Sequence, residues 1–482
     1  MTQPHHTTRE SGQLSMYVLV FSAVSLIMLS AFVLWADANI KAVFRDTDRA
    51  QAFMSAEAGI EYYRWHLAHA KTDYKDGTGQ PGPYIHTFAD KDGNEVGSFS
   101  LEIAAPPVGS TVVGITSTGT VAANSTISKI IEAKMAIPSF AKYSAVIGDY
   151  VRFGAGTEIY GPIHSNLGVR VDGVAHNLVT SSVAKFNDPD HSGGDEFGVH
   201  THTAPVDPYP PSPVPIRSDV FMAGRQFPVA PIDFVGLTQD LANIKTDAQS
   251  AGFYRASSGA SGYHVVLKTN DTFDLYKVTK VLRAPNGCVS VLGQKDWGTW
   301  TVETQTLLGN YAFPSNGLLF FEDSVWVDGT INTARLSIAA GIFPENSAHY
   351  AHITVNNDLR YTNYDGQDIL SLIAQGNVSA GLQSETDLRI DAALVAQNGR
   401  IGRYYYQGPS GNQNRCGPYH VRQTITLYGM MASRERYGFA YTDGTGYQNR
   451  IIIYDANLLY GPPPSFPLTA DYYTPIYWNE KK

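Results

Sequence analysis

The chain has 482 residues, which is long enough for two or three domains with buried cores. Only 16% of the residues are charged, while 29 tyrosines and 44 glycines indicate strands and turns rather than helices. The formal net charge is −9 and no run rich in lysine and arginine occurs, which argues against nucleic acid as a partner.

A long apolar segment near the N-terminus indicates where the protein resides. The 23 residues from Leu14 to Ala36 carry no charge, and such a segment can cross a hydrocarbon core of about 30 Å. It is longer than the apolar region of a cleaved signal peptide, and no Ala-x-Ala-like site follows it before Asp37. We therefore predict a retained transmembrane helix over residues 14–36, with membrane lipid as a partner.

The orientation of that helix is open to two interpretations. Arg9 precedes the segment, whereas Lys41, Arg45 and Arg49 follow it, and this count alone favours a cytoplasmic C-terminus. A long downstream domain can nevertheless cross the membrane regardless of the count. The sequence that follows the segment leads us to expect export.

The helix is predicted to continue beyond the membrane, because neither proline nor glycine interrupts Leu14–Ala58. A helix from about residue 14 to residue 70 would be on the order of 85 Å long. Its second half carries an apolar stripe with spacings of three and four residues, which predicts packing against a soluble domain. The residues of this stripe are Phe53, Ala56, Ile60, Tyr63 and Leu67.

The residues SAEAGIEYYRW, placed on a hydrophobic helix that runs directly into the globular part, resemble the N-terminal region of PilX-type minor pilins and related type IV pilin-like proteins. The resemblance implies a surface protein that contacts other pilin-like subunits through this helix. It also implies cleavage of a short leader after Gly12, so that Gln13 begins the mature chain. Pilins carry glutamate five residues after that glycine, whereas this chain has Tyr17, which suits a subunit at a pilus tip or a protein that stays in the membrane.

The sequence after the helix predicts β structure of two kinds. Phe99, Leu101 and Ile103 alternate with polar or small residues, which predicts a small antiparallel sheet after the helix. After Pro138, short apolar runs alternate with glycine or asparagine turns, and Val-Asp-Gly occurs at both 171–173 and 327–329. Such runs favour the stacked rungs of a β-solenoid resembling a parallel β-helix, and a β-sandwich is the alternative.

The predicted fold is therefore mainly β behind a long N-terminal helix. Its segments are a leader (1–13), a transmembrane helix (14–36), a helix continuation (37–70), a small pilin-like β region (71–137), a first solenoid part (138–203), an insertion with a proline-rich strap and a helix (204–264), a second solenoid part (265–460) and a proline- and aromatic-rich C-terminal tail lying extended across the body (461–482).

The two cysteines, Cys288 and Cys416, are too few for a zinc site built from Cys-x-x-Cys pairs. A single disulfide in an oxidising compartment and two unrelated thiols are both compatible with the sequence.

One segment, NDPDHSGGDEFGVHTHT, offers weak candidates for metal ligands. His200 and His202 alternate, so on a strand both would face one side, and Asp195 lies nearby. A solvated loop rich in glycine and aspartate is the competing interpretation. The other polar residues of the segment that could bind an ion are Asp188, Asp190, His191 and Glu196.

No catalytic motif is present: the sequence has no Gly-x-Ser-x-Gly, no phosphate loop and no His-Glu-x-x-His. We predict no enzyme activity, no catalytic residue and no cofactor. The carboxylates considered for a polysaccharide-cleaving pair are Asp172, Asp328, Asp387 and Asp391, and aspartate in a Val-Asp-Gly turn is explained by its bonds to nearby backbone amides. The aromatic clusters considered for ligand stacking are Tyr404–Tyr406, Tyr472–Tyr473 and Tyr477–Trp478.

These features predict a membrane-anchored structural or adhesive protein of the cell surface, with a polysaccharide or a protein as its ligand. One alternative is a membrane-tethered β-helix enzyme that acts on polysaccharide. The other is an uncleaved membrane protein that scaffolds envelope assembly without entering a filament.

Overall fold

The computed structural model describes residues 11–107, 109–466, 468 and 472–481, so the first ten residues of the predicted leader lie outside the described part. The described residues divide into two compact units. The helix–sheet unit contains residues 11–105, 113–135 and 472–481, and the large β unit contains residues 106–107, 109–112, 136–466 and 468.

Strands far outnumber helices in the described part of the chain. The α-helices are α1 (Ser11–His69) and α2 (Val235–Ala251), and short 3₁₀ turns lie at Phe140–Lys142 and Ala456–Leu459. The strands are β1 (Tyr84–Ala89), β2 (Glu95–Ala104), β3 (Val113–Val121), β4 (Asn124–Ala136), β5 (Ala145–Ile147), β6 (Val151–Phe153), β7 (Thr157–Tyr160), β8 (Ile163–Ser165), β9 (Val169–Val171), β10 (Val174–Ala175), β11 (Val179–Ser181), β12 (Lys185–Phe186), β13 (Glu196–Phe197), β14 (Val199–His200), β15 (Arg225–Gln226), β16 (Phe253–Arg255), β17 (Gly262–Lys268), β18 (Thr272–Val281), β19 (Val302–Ala312), β20 (Leu318–Phe321), β21 (Val325–Ile331), β22 (Arg335–Ala340), β23 (Ile353–Thr354), β24 (Leu359–Tyr361), β25 (Ile369–Ala374), β26 (Val378–Ala380), β27 (Asp387–Ala396), β28 (Ile401–Arg403), β29 (Val421–Ser433), β30 (Gly446–Tyr454) and β31 (Thr474–Lys481).

Helix α1 has two halves with different surroundings. From Gln13 to Arg49 almost every side chain is exposed, and this part includes the uncharged stretch. By length and composition, the helix segment Gln13–His69 could cross a membrane. In the second half the predicted stripe is buried in the unit's core, except that Phe53 is half-buried. The long predicted helix with one packed face is therefore present.

The second half of α1 lies on an antiparallel sheet with the strand order β1-β2-β3-β4-β31. Buried residues alternate along β3, and Val113, Ile115 and Val121 belong to the buried set. Small residues allow close approach of helix and sheet: a Cβ at Gly119 would lie 2.2 Å from both the Ala52 oxygen and the Ala56 nitrogen. The predicted small antiparallel sheet is therefore present, with its apolar face on the helix.

The C-terminal residues differ from the extended tail predicted over residues 461–482. Thr474–Lys481 forms β31, which lies beside β4 as the last strand of the sheet. Two ion pairs join these strands, Lys129 with Glu480 and Glu132 with Lys481. The β-branched and aromatic residues of this short segment suit a strand, whereas our prediction weighted its prolines. The main part of the large β unit is thus inserted between two neighbouring strands.

Short parallel strands stack in register through the large β unit. Val395 of β27 pairs with Ala432 of β29, and Ala432 pairs in turn with Val146 of β5. The ladder joins two stretches that are far apart in sequence, because β5, β8 and β11 continue it on one side and β27, β25, β22 and β20 on the other. Most pairings of this sheet are parallel, unlike those of a sandwich of antiparallel sheets.

Apolar side chains fill both faces of these strands, as expected where a parallel strand is covered on both sides. One face contributes to a large core that includes Ile338, Leu372 and Leu394. The other face includes Phe320 and packs against α2, which lies in the predicted insertion. The residues of α2 buried in this cluster are Leu241, Ile244 and Ala248. The helix therefore seals one side of the stacked strands.

Cys288 and Cys416 form a disulfide with a Cα–Cα distance of 4.7 Å. Both cysteines are buried with Leu382, Tyr404 and Tyr406 in a cluster of their own. The bond closes a loop over a sequence separation of 128 residues.

Candidate functional site

A wide groove of about 1060 Å³ lies in the large β unit, and segments distant in sequence line it. Its walls combine charged groups of both signs with amide and aromatic side chains. The lining includes the cations Arg152, Lys295, Arg400, Arg436 and Arg450, the carboxylates Asp149, Asp190, Asp296 and Glu435, the amides Gln294, Asn377, Asn398 and Gln448, and the aromatic residues Tyr350, Tyr437, Phe439, Tyr441 and Tyr447. Such a lining suits a polar ligand with several hydrogen-bonding groups.

Part of the groove is fixed by ion pairs. Arg436 Nη1 donates to Asp190 Oδ1 at 3.0 Å, and its guanidinium lies 4.5 Å from the centre of the Tyr150 ring. Partial desolvation raises the pKa of Glu435 from its ordinary value. The residue is exposed, so water weakens this shift.

The four carboxylates considered from the sequence do not form one site. Asp172 accepts from Arg170 Nε at 2.8 Å, and Asp328 accepts from His264 Nε2 at 2.9 Å. Asp391 is fully buried and accepts from the hydroxyl of Tyr364 at 2.6 Å. Asp387 lies exposed at the start of β27.

These contacts differ from the local turn role expected for aspartate in Val-Asp-Gly. Asp328 lies inside β21, and Asn357 also donates to it at 2.8 Å, while Asp172 accepts from the His202 backbone nitrogen at 3.0 Å. Their bonds therefore join segments distant in sequence.

The aromatic clusters divide between core and surface. Tyr404 and Tyr406 are buried beside the disulfide, whereas Tyr405 donates its hydroxyl to Asp443 at 2.7 Å, and this bond raises the pKa of Tyr405 to about 12. Tyr472, Tyr477 and Trp478 are exposed in the helix–sheet unit. The first cluster is thus mostly a packing element.

The histidine-rich segment folds into a compact cluster near the groove. Glu196 of β13 is buried, and its carboxylate contacts two histidines: His200 Nε2 lies 3.0 Å from Oε2, and His202 Nε2 pairs with Oε1. His191, in the loop between β12 and β13, places Nε2 3.6 Å from Glu196 Oε1. His200 and His202 thus reach one carboxylate, whereas Asp195 is exposed and has no described contact with them.

Neighbouring groups set the charge of this cluster. Burial lowers the pKa of His200, but the carboxylates of Asp188 and Glu196 outweigh burial and raise that pKa to about 9. Burial raises the pKa of Asp188, but the nearby His200, the backbone nitrogen of Asp190 and the Arg170 guanidinium outweigh it and hold that pKa well below its usual range. Carboxylates and histidines this close together can be stabilised by protonation of the histidines, which then form ion pairs, or by a bound cation.

Two supporting residues carry no signal in the sequence. Arg170 Nη1 lies 3.1 Å from Asp188 Oδ2, and the Tyr209 hydroxyl lies 3.2 Å from His191 Nε2. Tyr209 belongs to the proline-rich strap and Arg170 to β9, so only the fold brings them to the cluster.

Comparison with known proteins gives little guidance. No protein-family model matches the chain, and no curated protein matches it. Among solved structures, the crystal structure of the competence-associated pilin ComZ from Thermus thermophilus matches at 10% identity and a TM-score of 0.29, over 90% of this chain and 98% of that chain. A similarity at this level does not define a shared fold. That protein is named as a pilin, while the resemblance of this chain to PilX-type proteins stays a prediction.

Proposed function

We propose that this protein is a pilin-like structural protein of the cell surface, anchored by α1 and displaying the large β unit. The observation that carries the proposal is the different surroundings of the two halves of α1. Its first half is apolar and exposed, and its second half packs on the sheet of the helix–sheet unit. A single rigid element would thus join the membrane, or the helices of other subunits, to a folded domain.

The insertion of the large β unit between β4 and β31 supports a display role. A domain inserted in this way adds surface without changing the helix that assembles. The in-register parallel ladder further supports a solenoid made of stacked rungs, a form that offers long exposed faces for binding.

Export is supported by the disulfide between Cys288 and Cys416, because such bonds persist mainly in oxidising compartments. The positive charges after the apolar stretch favour the opposite orientation when counted alone. We give the disulfide more weight, since long domains cross membranes regardless of that count.

The groove is the surface that we propose for ligand binding, with a surface polysaccharide or a protein as the ligand. Its amides and tyrosines can hydrogen-bond and stack with such a partner. The carboxylates that line the groove favour one other function, cleavage of polysaccharide by a carboxylic acid. Polysaccharide that binds but is not shortened by the wild-type protein would exclude that second function.

The first experiment is mass spectrometry of the mature N-terminus. Protein is recovered from the native envelope, both from sheared surface appendages and from the membrane fraction. We expect a chain that starts at Gln13 in the sheared fraction, as a processed appendage subunit at a tip would show. An intact Met1 found in the membrane fraction alone would refute the pilin-like assignment and favour a tethered scaffold protein.

A further inference from the structure

The loop between β12 and β13 brings four possible metal ligands to a common point. One donor atom from each of Asp188, His191, Glu196 and His202 lies within 4.8 Å of the others. Four ligands around a tetrahedral zinc ion, at bond lengths of about 2.0–2.2 Å, have donor atoms roughly 3.3 Å apart. Small side-chain rotations would therefore bring these atoms onto one ion.

A buried histidine faces the same point from the interior. His200 Nδ1 donates to the carbonyl oxygen of Phe197 at 2.9 Å, which directs Nε2 toward Glu196 and toward Asp188, 3.7 Å away. Neither His200 Nε2 nor Glu196 Oε2 has a well-oriented hydrogen bond, although their side chains are 1% and 7% exposed. The two atoms form a close ion pair, but a buried carboxylate without a well-oriented hydrogen bond is costly, and a cation bound by Glu196 would neutralise it.

The surrounding groups hold the ligands in place, as the outer contacts of metal sites commonly do. Arg170 binds one oxygen of Asp188, and the backbone nitrogen of Asp190 donates to the other at 2.9 Å. His191 Nδ1 lies 3.4 Å from the carbonyl oxygen of Asp188, which leaves Nε2 on the side of Glu196 for the ion. On the outer side, the side chains of His191 and His202 are 21% and 16% exposed, so an ion can reach the site from solvent.

We propose that Asp188, His191, Glu196 and His202 bind one divalent transition-metal ion of the zinc class, with His200 facing that ion from the buried side. Imidazole together with carboxylate suits zinc, cobalt or nickel, whereas calcium and magnesium prefer oxygen ligands alone. The ion ties the β12–β13 loop to the residues after β14. Its role is to stabilise this part of the large β unit.

The test uses the full-length protein in detergent micelles, stripped with EDTA and then titrated with zinc chloride. Equilibrium dialysis with metal analysis counts bound zinc, and a thermal melt follows stability. We expect the cluster to retain one zinc ion per chain and the Tm to rise by about 3–6 °C at saturation. The double variant H191A/H202A should lose that ion and the rise in Tm.

The variant comparison also removes the contribution of His5 and His6, which are adjacent near the N-terminus and are present in every variant. His176→Ala is the matched control, because His176 lies outside the cluster and pairs instead with Glu158 at 3.5 Å. It should keep the bound zinc and the rise in Tm.

Two outcomes would overturn the proposal: a parent protein that retains no zinc, or a double variant that binds zinc and gains stability as the parent does. The first would leave the cluster as a network of ion pairs. If H191A/H202A does not fold, the partly exposed His191→Gln replaces it, and the absorption spectrum of bound cobalt then reports the loss of a four-coordinate site.

Discussion

Gly119 of β3 is the position where the packing of α1 on its sheet can be tested most directly. A Cβ at this residue would lie 2.2 Å from the Ala52 oxygen and from the Ala56 nitrogen, both in the backbone of α1. Ordinary contact begins at 3.4 Å, so Gly119→Ala would require the helix and the sheet to separate by about 1.2 Å. Ala52 and Ala56 are fully buried, and the separation would loosen their contacts.

The expected cost follows from two opposing effects. Overpacking a tight core costs about 1–3 kcal/mol, and helix backbone yields less readily than a flexible side chain. Replacing glycine by alanine recovers about 0.4–1 kcal/mol through the unfolded chain. We therefore expect the free energy of unfolding of the helix–sheet unit to fall by about 2 kcal/mol, which corresponds to a roughly 30-fold loss of protection from hydrogen exchange.

The assay is hydrogen exchange with mass spectrometry on the full-length protein in detergent, which reports β2, β3 and β4 separately from the large β unit. Gly114→Ala is the control, since Gly114 lies on the other face of the same strand and a Cβ there would meet only the Ala104 methyl group at 3.2 Å. Its effect should stay within about 0.5 kcal/mol. Equal protection of β3 in the two variants would refute the close packing of α1 on β3.

Three other predictions concern the disulfide, a buried histidine and the last strand. The double variant C288S/C416S should lose about 2–5 kcal/mol of stability in the large β unit, because the loop closed over a sequence separation of 128 residues is then unconstrained in the unfolded chain. A Tm equal to that of the parent, with and without reductant, would contradict this. Burial and the nearby Lys142 lower the pKa of His164, which also faces Tyr143, Thr180, Asn166 and Ser182. The unfolded chain therefore binds a proton more tightly at this histidine, so the contribution of His164 to stability is complete above the usual histidine pKa of about 6.5 and falls as the pH drops below it. Chemical denaturation at several pH values should show a weaker loss of stability for His164→Gln than for the parent. Identical profiles of the two proteins would contradict this prediction. Deletion of residues 474–481 should leave β4 as the edge of the sheet, with lower protection from hydrogen exchange. The exposed edge should also increase aggregation, which light scattering would detect. Unchanged protection of β4 would argue against the β4–β31 pairing.

Local periodicity made part of this fold predictable. The helical spacing of Ala56, Ile60, Tyr63 and Leu67 depends on near neighbours alone, and these residues do form the buried face of α1. The stacking order of the large β unit depends on distant partners. Nothing in the sequence around Ala432 shows that it pairs with Val146, which lies much earlier in the chain.

The histidine cluster was predictable to a similar extent. The spacing of His200 and His202 placed them on one side, but the choice between Asp195 and Glu196 depends on where β13 begins, and it is Glu196 that is buried. Arg170 and Tyr209 approach from other segments, and the groove is assembled from loops far apart in sequence. Short-range sequence patterns do not show which distant segments come into contact.

The insertion between β4 and β31 also bears on how the displayed domain could be lost. A domain at the end of a chain is shed by one proteolytic cut in its linker. Here the polypeptide enters the main part of the large β unit after β4 and leaves it before β31, so that part has two covalent tethers to one sheet. A protease that nicks either connection leaves the domain attached through the other. Release requires both connections to be cut, or the connection after β4 to be cut and β31 to be pulled from the sheet.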